Sequence, residues 1–179
     1  MTALTPGATA VSFSLPGVDG KTHSLRDYAD KKAVVVVFTC NHCPWAQAWE
    51  GRINQIQVDY GAKGVQVLAI NANDAVSHPG DSFEKMKERA AEKDFKIPYL
   101  RDDSQTTAQA YGAERTPEVF LFDSAGELQY HGAVDDNGED PAAVQSAYLR
   151  EALDAVLAGK SPVTKETPPK GCTIKWKAN

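Results

Sequence analysis

The chain has 179 residues, of which 42% are apolar and 24% are charged, and its formal net charge is −5. This balance is typical of one globular domain that buries a core without disulfide cross-links. The 19 basic residues are scattered rather than gathered into a stripe, which argues against nucleic acid and against an anionic membrane as partners.

No segment of the sequence has the pattern of a membrane span or a leader. The longest aliphatic run, residues 33–38, is too short to cross a bilayer, and the first ten residues lack the basic and apolar stretches of a secretory signal. We therefore expect a cytoplasmic protein. Thiols are kept reduced in the cytosol, so the three cysteines, Cys40, Cys43 and Cys172, are not expected to form a structural disulfide framework.

The first half of the chain predicts a β-hairpin followed by a strand–helix–strand unit. Residues 33–38 are β-branched or apolar without alternation, which is typical of a strand buried on both faces of a sheet. Pro44 fits the first turn of a helix, where a missing N–H costs nothing. The predicted elements are, in order, hairpin arms at residues 11–15 and 21–25, a strand at 33–38, a helix that begins just after Cys40 and ends near Gly61, and a strand at 65–70.

The second half predicts a helical excursion, an antiparallel strand pair, a last helix and a tail. Asp81, followed three residues later by Glu84, resembles a capping box. Asp140 as N-cap and Pro141 after it are expected to begin the last helix. The predicted elements are, in order, a helix at residues 81–94, an extended piece at 97–100, a helix from Ser104 to Gly112, strands at 116–122 and 127–131, a helix at 140–159 and a tail at 161–179 that docks on the domain.

A Cys-x-x-Cys pair stands where the first buried strand gives way to the first helix. The free amides and the dipole of a helix N-terminus favour negative charge, and the thiolate is the reactive form of cysteine. Cys40 is therefore predicted to be a nucleophile with a lowered pKa, and Cys43 to be the resolving thiol. His42 is expected to share positive charge with the Cys40 thiolate. Because a stabilised thiolate stabilises the reduced form, the pair should lie toward the upper part of the range of roughly −270 to −120 mV.

The same residues allow other interpretations. A zinc site of four cysteines needs a second Cys-x-x-Cys, which the chain lacks, although Cys172 and His42 offer ligands for an improvised site with the pair. A metal-binding or redox-sensing module built on Cys40, Cys43 and His42 is thus one alternative, and a solvated His42 without a function is another. We expect redox chemistry, with neither a bound metal nor an organic cofactor.

Two segments carry a resemblance to a known family. Thr39-Cys40-Asn41-His42-Cys43-Pro44 after a valine-rich strand, and Arg115-Thr116-Pro117 before a second strand, resemble the thioredoxin-like superfamily. Within it the chain is similar to the redoxin group, which includes alkyl hydroperoxide reductase-like (AhpC/TSA) proteins and TlpA-like thiol-disulfide oxidoreductases. The resemblance covers residues 8–160. It implies an α/β fold over residues 1–160, with a central mixed sheet flanked by helices, an N-terminal β-hairpin and a helical insertion.

The resemblance also implies a mechanism. The Thr116–Pro117 bond would be cis and would pack against the cysteines, leaving the Thr116 backbone unpaired for an extended substrate peptide. Cys40 would attack a disulfide of a protein or small-molecule substrate, Cys43 would resolve the mixed disulfide, and an external reductase or oxidant would recycle the pair. Trp45 is expected to line the substrate groove or to pack in the core. A role in cell redox homeostasis follows.

The sequence departs from two related patterns. Peroxiredoxins have a Pro-x-x-x-Thr-x-x-Cys pattern, but here Thr39 lies four residues before Cys43, and valine stands where proline is expected. A thiol peroxidase, in which Cys40 becomes a sulfenic acid, is therefore a disfavoured alternative. Thioredoxins use a buried acid near the second cysteine. The nearest candidate, Glu118, is expected to be an exposed carboxylate at a strand end.

The tail contains an apolar island, residues 171–176, in otherwise polar sequence. An unanchored tail has no use for Ile174 and Trp176, so this island is expected to dock as an edge strand or in a groove. Cys172 is then either an extra redox thiol that reaches the pair or a packed cysteine without a redox role.

Overall fold

The structure is a computed structural model that describes residues 2–178. Its secondary structure alternates between strands and helices, with a short strand in the tail. The elements are, in chain order, β1 (Ser14–Pro16), β2 (Thr22–Ser24), β3 (Ala33–Phe38), α1 (Pro44–Tyr60), β4 (Val65–Asn71), α2 (Phe83–Glu92), β5 (Tyr99–Arg101), α3 (Thr106–Tyr111), β6 (Arg115–Thr116), β7 (Glu118–Asp123), β8 (Leu128–Gly132), α4 (Tyr148–Leu157) and β9 (Cys172–Thr173).

A five-stranded mixed sheet in the order β5-β4-β3-β7-β8 forms the centre of the molecule. Strand β3 pairs in parallel with β4 and antiparallel with β7, and all six of its residues are buried. Val35 and Val37 face a core with α1, α2 and α4, whereas Val34 and Val36 face a core with α3 and the N-terminal segment. The unalternating run thus belongs to a strand covered on both faces, as predicted.

The observed architecture confirms the expected α/β fold. β1 and β2 form the N-terminal hairpin, and α2 lies in the helical insertion between β4 and β5. No helix among residues 2–178 is both long and apolar enough to cross a membrane.

Two predicted helix starts are wrong. Asp140 caps only a single 3-10 turn, Pro141–Ala143, and α4 begins at Tyr148 because the chain between them is extended and held by other contacts. Helix α2 is capped by Ser82, whose hydroxyl accepts the Lys85 N–H at 3.2 Å. Asp81, the predicted cap, instead points its carboxylate into the protein.

The tail docks on the domain as an edge strand, as predicted. Strand β9 pairs antiparallel with β6, so that Thr116 lies opposite Cys172. The Ile174 side chain is buried in the core beneath α3, and its N–H donates to the Glu114 carbonyl at 2.9 Å. Further along, the Lys175 carbonyl accepts the Asp74 N–H at 2.8 Å. The tail is therefore held by backbone pairing as well as by apolar contact.

Candidate active site

Two cysteines lie between the end of β3 and the start of α1. Cys40 follows the strand, and Cys43 is the N-cap of α1, with Pro44 in the first turn. Both are free thiols, and each is only 1% exposed. The Thr116–Pro117 bond beside them is cis, as the resemblance implied. The Cys40 sulfur lies 3.4 Å from Thr116 Oγ1, and the Cys43 thiol donates to the Thr116 carbonyl at 3.6 Å.

The pKa values of the two cysteines shift in opposite directions. The pKa of Cys43 is lowered by a hydrogen bond from the Cys40 thiol, with further support from the Cys172 thiol and the Ala46 N–H, against the effect of burial. The pKa of Cys40 is raised by that same hydrogen bond, by burial and by the charge of Asp81. The direction for Cys40 is therefore opposite to the predicted lowering, because its contact with the Cys43 sulfur and its burial, with a smaller contribution from Asp81, outweigh the Thr116 hydroxyl and the Cys43 N–H.

Asp81 is the buried acid of the site, and the sequence interpretation missed it. Its side chain is fully buried and accepts the Asn41 N–H at 2.7 Å, the Asn71 amide at 3.0 Å and the Asn73 amide at 3.1 Å. It also forms an ion pair with His42 Nδ1. The half-exposed His42 ring therefore faces the carboxylate and also stacks on His78 at 5.5 Å.

Cys40, His42 and Asp81 bring three potential metal ligands together. Their ligand atoms lie within 4.8 Å of one another. Among residues 2–178 the candidate metal site therefore contains Asp81, whereas the sequence had suggested Cys43 as the third ligand. Sulfur, imidazole and carboxylate are a donor set that Zn²⁺ accepts. The Asp81 oxygens already accept bonds from three asparagines and contact His42, however. Stoichiometric metal in protein purified without a chelator would support the metal-binding alternative.

Glu118 is buried, which corrects the expectation of an exposed carboxylate at a strand end. Its oxygens accept the N–H groups of Glu114 and Arg115 at 2.9 and 3.0 Å and contact His131 Nε2 at 2.7 Å. Burial lowers the pKa of His131, but Glu118 and Glu166 outweigh this effect and raise it. The carboxylate thus holds the β6–β7 turn that carries Pro117.

The backbone of Thr116 is not free for a substrate peptide, which corrects another expectation. Strand β9 occupies that edge, and the approach is so close that a Cβ on Gly171 would lie 1.9 Å from the Thr116 carbonyl oxygen. Arg115 Nη1 donates to the Gly171 carbonyl at 3.1 Å. An extended peptide therefore cannot pair with Thr116 while the tail is in place.

Trp45 lies between the first turn of α1 and the tail. Its ring stacks on Trp49 with a centroid distance of 5.8 Å, and Lys170 Nζ lies 4.8 Å from the ring centroid. It also packs with Cys172 against the cysteine pair. Its role in binding substrate stays a prediction, as do the catalytic roles of Cys40, Cys43, His42 and Pro117.

Comparisons with known proteins place this site in a redox family. The Redoxin family model matches residues 5–148, and the chain belongs to that family. Over 128 residues it is 30% identical to the thiol-disulfide oxidoreductase ResA of Geobacillus thermodenitrificans, which covers 72% of this chain and 69% of that protein. It is 27% identical over 140 residues to a Mycobacterium tuberculosis protein described as a peroxiredoxin, covering 77% of this chain and 83% of that one.

A solved structure matches nearly the whole chain. A hypothetical protein from Sinorhizobium meliloti 1021 superimposes with a TM-score of 0.93 at 38% identity, covering 99% of this chain and 98% of that one. The match therefore includes the tail as well as the thioredoxin-like domain. The named relatives are oxidoreductases of two kinds, which supports redox enzyme activity in general.

Proposed function

We propose that this protein is a thiol-disulfide oxidoreductase that cycles between the Cys40 and Cys43 dithiol and their disulfide. The observation that carries the proposal is the placement of two free thiols at the N-terminus of α1, each within hydrogen-bonding distance of Thr116 beside cis-Pro117. Its substrate is a disulfide of a protein or small molecule in the cytoplasm, and an external reductase or oxidant recycles the pair.

Charge on the cysteine pair supports this chemistry. Thiol–disulfide exchange proceeds by attack of a thiolate on a disulfide sulfur. A thiolate on Cys43 and a neighbouring Cys40 thiol provide the two electrons that reduce a substrate disulfide. The ion pair of His42 and Asp81 lies next to Cys40 and leads to solvent. It offers a route for the proton that Cys40 must lose before it completes the disulfide.

A thiol peroxidase is the second candidate, favoured by the Mycobacterium tuberculosis relative. In that reaction a thiolate attacks a peroxide oxygen, becomes a sulfenic acid and releases water or an alcohol, and a second thiol condenses with it to form the disulfide. Thr39, the residue nearest to the peroxiredoxin pattern, is buried and stands next to Cys40 rather than three residues before a cysteine.

One set of assays separates the two candidates. Reduced protein is equilibrated with glutathione buffers, and alkylation followed by mass spectrometry then counts the disulfides. It is also assayed for reduction of insulin and for turnover of hydrogen peroxide. We expect a Cys40–Cys43 disulfide and insulin reduction that both Cys40→Ser and Cys43→Ser abolish. Peroxide turnover without disulfide reductase activity would overturn the proposal in favour of the peroxidase.

A further inference from the structure

The Cys43 sulfur has a thiol neighbour from the tail as well as one from its own motif. Cys172 packs with Trp45 against Cys40 and Cys43. The Cys43 thiol donates to the Thr116 carbonyl at 3.6 Å, and Thr116 lies opposite Cys172 in the β6–β9 pair. The pKa of Cys43 is lowered by contact with both the Cys40 and the Cys172 thiols, so Cys43 neighbours the thiol of its own motif and the thiol of the tail.

The three thiols differ in their access to solvent. Cys40 and Cys43 are buried, whereas Cys172 is only half-buried. The position of Cys172 is fixed by backbone pairing with Thr116 and by the Ile174 N–H bond to Glu114. A molecule arriving from solvent therefore meets the Cys172 sulfur before it meets the pair beneath.

We propose that Cys172 is a third redox-active thiol, through which the buried pair exchanges with an external disulfide. The proposal rests on the proposed function, because it needs a pair that forms a disulfide. In this scheme the external disulfide reacts first with Cys172 in the tail, and not with Cys40, the first cysteine of the motif. Its substrate class is a disulfide exposed enough to reach Cys172, either a small molecule or a protruding protein disulfide.

The exchange balances in three steps. The Cys172 thiolate attacks one sulfur of the external disulfide, forms a mixed disulfide and releases the first external thiolate. The Cys43 thiolate then attacks the Cys172 sulfur, releases the second external thiolate and forms a Cys43–Cys172 disulfide. Cys40, having lost its proton, attacks Cys43 and releases Cys172 as a thiolate. Two electrons pass from the pair to the substrate. Because Cys43 enters as a thiolate, the pair gives up one proton, from Cys40, which one external thiolate takes up, while the other external thiolate keeps the negative charge that Cys43 held. The proton that Cys172 loses before its attack returns to it after it leaves.

The environment of Cys172 suits both of its roles in this sequence. As the attacking sulfur it is the accessible one. Burial and the neighbouring Cys43 raise the pKa of Cys172, while Lys175 and the Trp45 N–H oppose that shift and favour the thiolate in which it leaves. Amides at a helix N-terminus stabilise such a thiolate. Strand β9 occupies the backbone edge at Thr116, and this pairing places the Cys172 residue beside cis-Pro117.

The first experiment asks where an external disulfide enters. Reduced Cys43→Ser protein, in which the central sulfur is absent, is mixed with a limiting amount of Ellman's reagent, and the adduct is mapped by peptide mass spectrometry at short times. We expect modification of Cys172 at least about tenfold faster than of Cys40, because accessible thiols next to helix amides react first. An adduct that forms first on Cys40, or equally on both, overturns the proposal.

The second experiment asks whether the central sulfur reaches the tail. Reduced Cys40→Ser protein is treated with limiting glutathione disulfide under native conditions and quenched with acid. We expect a Cys43–Cys172 disulfide. A glutathione adduct on Cys43 beside a free Cys172 overturns the proposal.

A third measurement separates this proposal from the proposed function. Glutathione disulfide is expected to form the Cys40–Cys43 disulfide at least about tenfold more slowly in Cys172→Ser than in the wild type. Thr173→Ser, the next position of β9, is the matched control and should match the wild type. If the wild type forms no Cys40–Cys43 disulfide, the proposed function fails. If Cys172→Ser forms that disulfide as fast as the wild type, only the role of Cys172 fails. A protruding protein disulfide, tested in parallel, distinguishes the two sources of substrate.

Discussion

Gly171→Ala tests how much the close contact between the tail and β6 contributes to the stability of the docked tail. An added Cβ would lie 1.9 Å from the Thr116 carbonyl oxygen and 2.6 Å from its carbon, whereas real Cβ atoms essentially never come within 3.0 Å of another heavy atom. Backbone on both sides is fixed by pairing, so β9 must move by at least about 1 Å, since close-packed groups do not overlap. That movement is enough to break the contacts of the short strand.

The size of the effect follows from the contacts that are lost. The bonds from Ile174 N to Glu114 O and from Arg115 Nη1 to Gly171 O each contribute about 1 kcal/mol net. Exposing the buried Ile174 side chain costs up to about 2 kcal/mol. The loss is therefore bounded at roughly 4 kcal/mol. Because the tail can detach while the domain stays folded, the loss should appear first as local opening.

Two measurements follow this local opening. Trypsin should cleave at Lys170 and Lys175 faster in Gly171→Ala than in the wild type, because open segments are cleaved first. The pKa of Cys43, read from thiolate absorbance against pH, should rise, because the Cys172 thiol no longer lowers it. Gly51→Ala is the control, because its Cβ meets nothing within 4 Å inside α1. If Gly171→Ala leaves both the cleavage rate and the titration unchanged, the tail does not depend on this contact.

Three further predictions concern the charges of the site. Asp81→Asn should speed alkylation of Cys40 at neutral pH, because a charge that contributes to the raised pKa of Cys40 is removed. It should also cost about 1–3 kcal/mol of unfolding free energy. Equal effects from substitution of the exposed Asp94 by Asn would contradict this reasoning. Because the pKa of His131 is raised in the folded protein, the protonated ring stabilises the fold below the unfolded pKa of about 6.5, and this stability is lost as the pH rises through the folded pKa. Urea unfolding between about pH 5.5 and 8.5 should show this loss in the wild type and less of it in Glu118→Gln. The same dependence of unfolding free energy on pH in both proteins would refute the reasoning. Because a lowered pKa of Cys43 stabilises the reduced form, we expect the potential of the pair to lie above about −270 mV. A lower value, measured at equilibrium with glutathione or a stronger thiol reductant, would exclude that account.

Local pattern was sufficient to predict the frame of the fold. The run of residues 33–38 predicted a doubly covered strand because both faces of β3 need apolar side chains. Pro44 predicted the opening turn of α1, because a missing N–H costs nothing in the first turn of a helix. These properties are set by residues within a few positions of each other, which is the range over which a sequence pattern determines structure.

Asp81 escaped prediction because its role depends on residues distant in sequence. A Ser82 cap and an Asp81 cap give nearly the same local pattern, and the two differ only in where the Asp81 carboxylate points. A signal was nevertheless present. Asn41 follows β3, and Asn71 and Asn73 stand at the end of β4. Because the carboxyl ends of parallel strands meet at one edge of a sheet, these polar groups converge where a buried carboxylate needs donors.

The opposite pKa shifts of Cys40 and Cys43 show that tertiary contacts outweigh the effect of the helix N-terminus. The helix N-terminus does favour a thiolate, but its contribution is at most about 2 kcal/mol even where the site is partly buried. Asp81 and burial both act against charge on Cys40, while Cys40, Cys172 and the Ala46 amide all favour charge on Cys43. These partners come from the insertion, the tail and α1, so only the folded chain brings them together. The pKa is consequently lowered at the sulfur that neighbours both other thiols. The proposed exchange requires this position, because in it the Cys43 thiolate attacks the tail sulfur and is then attacked by Cys40.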